Sequence, residues 1–111
     1  MKVSIPVRTV STANVREHWR RRADRARHHR STAILTFRIA KAEPVLPCTV
    51  LLTRVAPRAL DDDNLRGALK SVRDGVADWL GIDDRDPRVK WDYGQRKGPT
   101  KFYAVDVEVS H

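Results

Sequence analysis

Aspartate dominates one short stretch of the chain. Residues 61–86 contain eight acidic and four basic residues, which gives this window a net charge of −4. Its acids are Asp61, Asp62, Asp63, Asp74, Asp78, Asp83, Asp84 and Asp86. Carboxylate oxygens suit a hard cation such as Mg²⁺, which takes octahedral oxygen coordination and keeps several of its waters. A magnesium ion bound here would polarise a phosphate, orient a water and offset the charge on a leaving oxygen.

The same acids also have a simpler interpretation, as an acidic turn before a helix and an acidic loop in solvent. Two carboxylates about 4 Å apart repel each other by roughly 1 kcal/mol in water, and by about 4 kcal/mol at an effective dielectric constant near 20. A helix N-terminus returns only about 0.3–1 kcal/mol per acid. Acids that converge in a cleft therefore require a bound cation, whereas acids spread over the surface do not. The spacing of the aspartates leaves both alternatives open.

The remainder of the chain is strongly basic. The 111 residues include 22 Lys and Arg against 14 Asp and Glu, a net charge of +8, so the residues outside the acidic window carry +12. Such a balance favours an anionic partner, with nucleic acid the first candidate. The densest basic segment contains Arg16, Arg20, Arg21, Arg22, Arg25, Arg27 and Arg30. Arginine grips phosphate with a planar fork, which indicates DNA contact; a solubilising helix face is the alternative.

Length and composition indicate a single folded domain over residues 1–111, with one modest core. The sequence is 41% hydrophobic and 32% charged, which argues against disorder. The longest uncharged run, residues 44–53, is too short to span a bilayer, so we expect no membrane partner. The first ten residues lack the apolar core of a secretion signal, which favours a cytoplasmic protein. A glycine-rich phosphate loop is missing, so we expect no nucleotide cofactor.

Hydrophobic patterns predict an α+β fold with two main helices and about four strands in a mixed or antiparallel sheet. The predicted strands cover residues 2–10, 48–56, 89–96 and 102–109. A turn at 97–99 is expected to join the last two. One helix is expected across much of 15–42, ending before Glu43. A second helix is expected from about Leu65 to Leu80, because apolar residues recur there on one helical face.

The second helix sets the geometry of the acidic window. Asp63 or Asn64 is expected to cap its N-terminus, and Gly81 its C-terminus. If the backbone before the helix is extended, the side chains of Asp61 and Asp63 point to the same side. A third carboxylate, from the loop 82–86, starts at the far end of the helix, about 24 Å away. The loop must therefore return along the helix for the three to meet, and the sequence does not establish that it does.

The segment LDDDNLRGALKSVRDGVADWLGIDDRDPRV resembles the RusA-type Holliday junction resolvases. Their pattern is D-x-D-N, then L-x-K, an Asp on the same helix, and an Asp-Asp pair shortly before a hydrophobic strand. The D-x-D-N occurs here at 61–64, the Asp-Asp pair at 83–84, and Val89 opens the strand that follows. Lys97 lies near the end of that strand, where the family often carries a lysine. The likeness extends over most of the chain, but its specific part is 61–89.

The resemblance implies a small α+β homodimer that resolves branched DNA, the four-way junction, by paired nicks in recombination and repair. It implies that each of two active sites binds Mg²⁺, with Mn²⁺ as a substitute, through Asp61, Asp63 and an Asp of the later pair. Two nicks that are symmetric about a junction need two sites related by a two-fold axis, which a C₂ dimer supplies. The corresponding source is a bacterium or a phage.

The identity of the third ligand depends on the alignment. The family's lysine, three residues after the Asn, falls on Gly67 here, and Lys70 lies one helical turn later. Without an inserted turn the third ligand is Asp84, which we favour. With an inserted turn it is Asp86, and Asp83 is the remaining alternative.

These considerations give a set of predicted site residues. The predicted catalytic residues are Asp61, Asp63, Asp84 and Lys70, of which the three aspartates bind the metal. Lys70 would approach the scissile phosphate; alternatively it forms an exposed i,i+4 ion pair with Asp74, worth about 0.3–0.5 kcal/mol. Asn64 and Gly81 are predicted to have structural roles. The predicted DNA-binding residues are Arg16, Arg20, Arg21, Arg22, Arg25, Arg66, Arg73, Arg96 and Lys97.

Two other functions remain open from the sequence. One is a nucleic-acid-binding relative without catalysis, motivated by Gly67 at the family's lysine position. The other is a protein whose acidic helix docks a partner, which the absence of DNA binding would favour. The tryptophans Trp19, Trp79 and Trp91 are expected to be core or interface anchors rather than base-stacking platforms.

Overall fold

A computed structural model describes residues 1–10 and 18–111. Its elements, in chain order, are β1 (Lys2–Ile5), α1 (Trp19–Ile39), β2 (Cys48–Ala56), α2 (Asp62–Leu80), β3 (Val89–Lys97) and β4 (Ala104–Ser110). The prediction of one α+β domain with two helices and a four-stranded mixed sheet is confirmed. Neither α1 nor α2, the two helices of the described residues, is long and apolar enough to cross a membrane.

The strands form one sheet in the order β1-β4-β2-β3. β4 is antiparallel to both of its neighbours, whereas β2 and β3 are parallel over their whole length. Parallel neighbours need a crossover connection, and α2 provides it. Because β3 and β4 flank β2, the chain after β3 crosses the end of β2, where the Gly98 N–H donates to the Ala56 carbonyl. The turn predicted at 97–99 therefore does not form a hairpin.

The two helices pack on each other and on the sheet, and together they enclose the core. Alternate residues of β2 and β4 point toward the helices, among them Val50, Leu52, Val105 and Val107, which are fully buried. The predicted apolar stripe of α2 covers these residues. Its buried members include Leu65, Leu69, Val72, Val76 and Leu80. Each aliphatic side chain buried in this way stabilises the fold by about 1.5–3 kcal/mol.

α1 and α2 cross closely at Gly75. A Cβ at this position would lie 2.5 Å from the Arg30 carbonyl oxygen and 2.7 Å from the Ala33 Cβ. Beside the crossing, the Arg30 guanidinium forms a two-pronged ion pair with Asp78, with N–O distances of 2.5 and 2.8 Å. These hydrogen bonds lower the pKa of the Asp78 carboxyl and raise the pKa of Arg30. Gly75, which has no side chain, and the ion pair between Arg30 and Asp78 thus fix how the two helices meet.

The tryptophans differ in their surroundings. Trp79 of α2 stacks on Phe37 of α1, with ring centroids 4.1 Å apart, and packs against the core as expected. Trp19 is 67% exposed in the first turn of α1, so it is not a core anchor, and an interface anchor stays the prediction for it. Trp91 of β3 is half-buried.

Two residues determine where secondary-structure elements end: Pro6 ends β1 and Gly81 ends α2. β1 ends at Ile5 because Pro6 has no N–H for the strand ladder, so the strand predicted over 2–10 is too long. Gly81 ends α2 in the left-handed conformation, with φ of 74°, as predicted.

Two glycines of α2 provide a matched test of the helix crossing. Gly75→Ala is expected to destabilise the protein by about 1–3 kcal/mol, because the new methyl group meets the α1 backbone. Gly67→Ala is expected to stabilise it by about 0.5–1 kcal/mol, because nothing lies within 4 Å of a Cβ there and alanine is the better helix former. Urea unfolding measures both; a Gly75→Ala variant as stable as the parent would contradict the packing.

Candidate active site

The acidic start of α2 is a capped helix N-terminus. Asp61 has an extended backbone (φ −70°, ψ 167°), and its Oδ1 accepts a 3.0 Å hydrogen bond from the Asn64 N–H. The prediction of a cap at Asp63 or Asn64 is therefore wrong. α2 starts earlier than predicted, with Asp62 and Asp63 in its first turn. Negative charges are favourable there, because they face the positive end of the helix dipole. Asn64 still has a structural role, because its backbone N–H donates the capping hydrogen bond to Asp61.

Helical geometry also separates the acids. The extended backbone that would point Asp61 and Asp63 to the same side is absent, because α2 begins at Asp62 and each helical residue turns by about 100°. All three acids are exposed. Asp62 shares a helix face with Arg66, and Asp63 shares one with Lys70.

Two side chains of the sheet hold the segment that leads into α2. The Gln95 amide of β3 exchanges two hydrogen bonds with Leu60: it accepts from the Leu60 N–H at 2.9 Å and donates to the Leu60 carbonyl at 2.6 Å. Arg54 of β2, only 6% exposed, donates to the Thr9 hydroxyl at 2.9 Å and to the Arg58 carbonyl at 2.6 Å. Burial lowers the pKa of Arg54. Sequence reasoning missed both residues, although an arginine inside an apolar strand is a signal.

The loop after α2 returns along the helix. Residues 81–88 bring Asp84 back to the middle of α2, where its Oδ2 lies 3.4 Å from Arg73 Nε and 4.0 Å from Lys70 Nζ. The Asp84 backbone carbonyl accepts hydrogen bonds from Arg73 Nη2 at 2.7 Å and from the Trp91 indole N–H at 3.0 Å. The return that the sequence leaves open is thus present, and it brings Asp84 and Lys70 together.

Arg73 links three parts of the site. Besides its contacts with Asp84, its Nη1 donates to the Tyr93 hydroxyl at 2.6 Å, and its guanidinium carbon lies 4.6 Å from the centroid of the Trp91 ring. The side chain is only 23% exposed, and its buried Nε has no hydrogen-bond partner among the residues that the structure describes. Arg73, predicted as a DNA contact, therefore uses two of its three guanidinium nitrogens to hold β3 and the loop against α2.

Of the two roles considered for Lys70 from the sequence, the structure shows the ion pair with Asp74, and the contact with a phosphate stays a prediction. Its Nζ lies 3.4 Å from Asp74 Oδ1, so the i,i+4 ion pair is present, and 4.0 Å from the Asp84 carboxylate. The side chain is 67% exposed, so these pairs contribute little to stability. An ammonium group so placed is free to turn toward a phosphate that approaches α2.

The two alternatives to Asp84 use their carboxylates within the loop. Asp86 accepts hydrogen bonds from the Arg88 guanidinium at 2.8 and 3.1 Å and from the Arg88 N–H, which lowers the pKa of Asp86 to about 2. Asp83 accepts from the Arg85 N–H at 2.9 Å, which lowers the pKa of Asp83. Among the described residues, Asp84 is the one of the three that pairs with side chains of α2.

A magnesium ion needs oxygen ligands that converge. Within residues 1–10 and 18–111, no three His, Cys, Asp or Glu side chains are grouped so that they could hold a metal ion. Asp63 lies seven residues before Lys70, about 10 Å along the helix axis, and the Asp84 carboxylate faces Arg73. The predicted ligands Asp61, Asp63 and Asp84 therefore do not form a ready-made site in the single chain, and the magnesium requirement stays a prediction.

A cleft runs between α2 and β3 beside these groups. One cavity of about 560 Å³ has Asp62, Arg66, Arg73, Trp91 and Tyr93 among its lining residues. A second, of about 330 Å³, is lined by Arg66, Gly67, Lys70, Arg73, Asp84 and Tyr93. The two cavities are neighbours along α2, because both are lined by Arg66, Arg73 and Tyr93.

The predicted DNA-binding residues lie on different surfaces. Exposed residues in the first turns of α1 are Arg20, Arg21 and Arg22; Arg25 is half-buried, and Arg16 lies outside the described residues. Arg66 is exposed beside the cleft. Arg96 alternates with Gln95 along β3, so it lies on the sheet face away from α2, where it donates to Asp106 at 2.9 Å. Lys97 is exposed at the end of β3.

The basic part of α1 meets the cleft at Gly67. A small cavity of about 60 Å³ between the helices has Arg22, Arg25 and Gly67 among its lining residues, and Gly67 also lines the cleft. Nothing lies within 4 Å of a Cβ at this glycine. The site where the RusA pattern carries a lysine is therefore open space between two basic surfaces.

Comparison with known proteins gives little further assignment. No family model matches the chain. An uncharacterized protein of Xylella fastidiosa (strain Temecula1 / ATCC 700964) is 38% identical over 82 residues, which cover 65% of this chain and 52% of that protein. The chain thus spans about half the length of this relative. The likeness to RusA-type resolvases rests on the residues quoted from the sequence and stays a prediction.

The role of Arg73 can be measured by its removal. Arg73→Met is expected to lower the free energy of unfolding by about 1.5–3 kcal/mol, because hydrogen bonds from a charged donor to Asp84 and Tyr93 are lost. Hydrogen exchange at the Trp91 indole is expected to become faster, because the loop that covers it loosens. Arg85→Met is the control: its ion pair with Asp83 is largely exposed, so the change should stay below about 0.5 kcal/mol. Equal effects of the two variants would contradict the assignment.

Proposed function

We propose that this protein is a metal-dependent, structure-specific DNA endonuclease that resolves four-way junctions by paired nicks, in the manner of the RusA-type resolvases it resembles. One observation carries the proposal. The returning loop sets Asp84 against Lys70 and Arg73, on the helix whose N-terminus holds Asp61 and Asp63. Acidic and basic groups suited to phosphodiester chemistry thus lie along one helix, beside an open cleft.

The charge of α2 changes sign over about two turns. Exposed acids at its N-terminus are followed by Arg66 and Lys70, which are exposed as well. A phosphodiester held by these two basic side chains lies next to Asp63. At a separation of about 4 Å, the charges of the phosphate and the Asp63 carboxylate repel by roughly 1–4 kcal/mol. A divalent cation offsets that repulsion, and magnesium in phosphate chemistry commonly uses one or two carboxylates plus phosphate oxygens. The proposal therefore includes a cation requirement, with Asp61 and Asp63 among the ligands.

The remaining basic residues suit a polyanion larger than one phosphate. The exposed arginines of α1 extend the positive surface to one side, and one of them, Arg22, lines the small cavity at Gly67. Each phosphate that such a residue neutralises on duplex DNA adds about 0.9 to the slope of log affinity against log salt. Paired nicks require a second, symmetry-related site, so the proposal also includes a homodimer.

A second candidate is a junction-binding relative without nuclease activity. It is favoured by the pairing of the Asp84 carboxylate with Arg73 and by the absence, among the described residues, of three grouped metal-ligating side chains. In that case Arg73 and Lys70 neutralise Asp84 permanently, and the cleft only binds DNA.

A labelled synthetic four-way junction, with a linear duplex as control, distinguishes the two candidates. With Mg²⁺ we expect paired symmetric nicks in the junction alone, lost on addition of EDTA and restored by Mn²⁺. Asp61→Asn, Asp63→Asn and Asp84→Asn are each expected to keep junction binding and to slow nicking by about 100-fold or more. Asparagine is as good an N-cap as aspartate, so Asp61→Asn removes charge without removing the helix cap.

Asp83→Asn and Asp86→Asn are the matched controls, because their carboxylates are used within the loop; both should nick at nearly the parent rate. Full nicking by Asp63→Asn would overturn the proposal. Tight junction binding by the parent protein without nicks under any divalent cation would favour the second candidate.

A further inference from the structure

We propose that the cleft between α2 and β3 takes one unpaired base of a DNA strand, stacked on the ring of Tyr93. This inference rests on the proposed function for the identity of the ligand, and it names the part of the branched substrate that the cleft binds. Base stacking is interrupted at the branch point of a four-way junction, so a base there leaves its pair at a lower cost than a base inside a continuous duplex.

The size and lining of the larger cavity suit a base. Its volume of about 560 Å³ lies within the range of small-molecule sites, roughly 300–1,000 Å³. Two half-buried aromatic rings, Trp91 and Tyr93, face two guanidinium groups, Arg66 and Arg73. Aromatic rings combined with arginine planes are the usual means by which proteins hold unstacked bases.

The two rings are not equally available. Trp91 is covered by Arg73 at 4.6 Å, and its indole N–H is bonded to Asp84, so its position is fixed by the loop. Tyr93 keeps its ring under Arg66, whose guanidinium carbon lies 5.6 Å from the centroid. Arg66 is exposed and has no carboxylate within ion-pair distance among the described residues. Tyr93 is therefore the ring that a ligand can reach.

Little movement is needed to admit a base. A flat ring between Tyr93 and the guanidinium plane needs about 3.5 Å on each side, a total of about 7 Å. The present separation is 5.6 Å, so the exposed and flexible Arg66 side chain has to move by only about 1.5 Å. The base then lies between an aromatic ring and an arginine, and both contacts tolerate any base.

Charge orients the strand. Asp62 and Asp92 line the larger cavity, and their negative charges disfavour a phosphate there. Lys70 and Gly67 lie in the adjoining cavity, where a cation and open space can receive the backbone. The base thus lies in the larger cavity, and its phosphate lies toward Lys70, next to the residues proposed for cleavage.

The probe is a single-stranded oligodeoxynucleotide with one 5-iododeoxyuridine, used in EDTA so that no cleavage occurs; the same strand in a duplex is the control. Ultraviolet crosslinking followed by mass spectrometry is expected to label the peptide that contains Tyr93 in the single strand but not in the duplex. Labels confined to Trp19 or Tyr103, or no binding of the single strand, would overturn the proposal.

Three variants separate stacking from structure. Tyr93→Leu is expected to weaken binding of the single strand by roughly 5- to 100-fold and to leave duplex binding within about two-fold. Tyr93→Phe, which loses only the hydroxyl bonded to Arg73, should retain the single-strand affinity. Tyr103→Leu removes an aromatic ring that lies under Arg8 elsewhere, and should have no effect. Equal losses for the Leu and Phe variants at position 93 would overturn the stacking role.

This result is separable from nuclease activity. A protein that nicks junctions but crosslinks elsewhere would overturn the base pocket alone. A protein that crosslinks through Tyr93 but never nicks would overturn the nuclease proposal alone.

Discussion

The arrangement of the site depends on the guanidinium of Arg73. One side chain donates to the Asp84 carbonyl and to the Tyr93 hydroxyl, lies over Trp91, and stands 3.4 Å from the Asp84 carboxylate. In this way it fastens the loop after α2 and the edge strand β3 to the middle of the helix. Hydrogen bonds from a charged donor contribute about 1.5–3 kcal/mol, more than most single contacts in a domain of this size. Because a half-buried cation needs a counter-charge, the same contact fixes where the Asp84 carboxylate lies.

The other end of α2 is fixed by polar contacts from the sheet. Gln95 and the buried Arg54 hold the backbone of Leu60 and Arg58, so the helix begins at a defined place with Asp61 as its cap. Along the helix the surface then changes from exposed acidic side chains to exposed basic side chains. Among the residues that the structure describes, no group of acids is placed to hold a metal ion. The acids at the two places are separated by about two helical turns. In our account the DNA phosphate bridges this gap, which makes the substrate part of the site.

Local patterns predicted the helices and the chemistry more successfully than the contacts. The apolar stripe from Leu65 to Leu80 and the glycine stop at Gly81 are strong local signals, and both are confirmed. The helix start was misplaced because three successive acids all suit a helix N-terminus, and only the tertiary contacts of Leu60 select Asp61. The return of the loop depends on Arg73 reaching Asp84 and Tyr93, residues 11 and 20 positions away, which no spacing rule reveals. For the same reason the sequence predicts a DNA contact for Arg73, whereas two of its three guanidinium nitrogens bond to the loop and to β3.

Whether a divalent cation and the DNA phosphate together join the two ends of this site is the central question. The direct measurement is the paramagnetic broadening of backbone amide signals when Mn²⁺ is added to the ¹⁵N-labelled protein bound to a nuclease-resistant phosphorothioate four-way junction. The account predicts that the signals of residues 61–64 and of Asp84 broaden together in the junction complex but not in the free protein at the same Mn²⁺ concentration, and that Asp63→Asn and Asp84→Asn each abolish both effects. Broadening confined to the loop, or separate broadening of the two regions at different concentrations, would contradict a shared site.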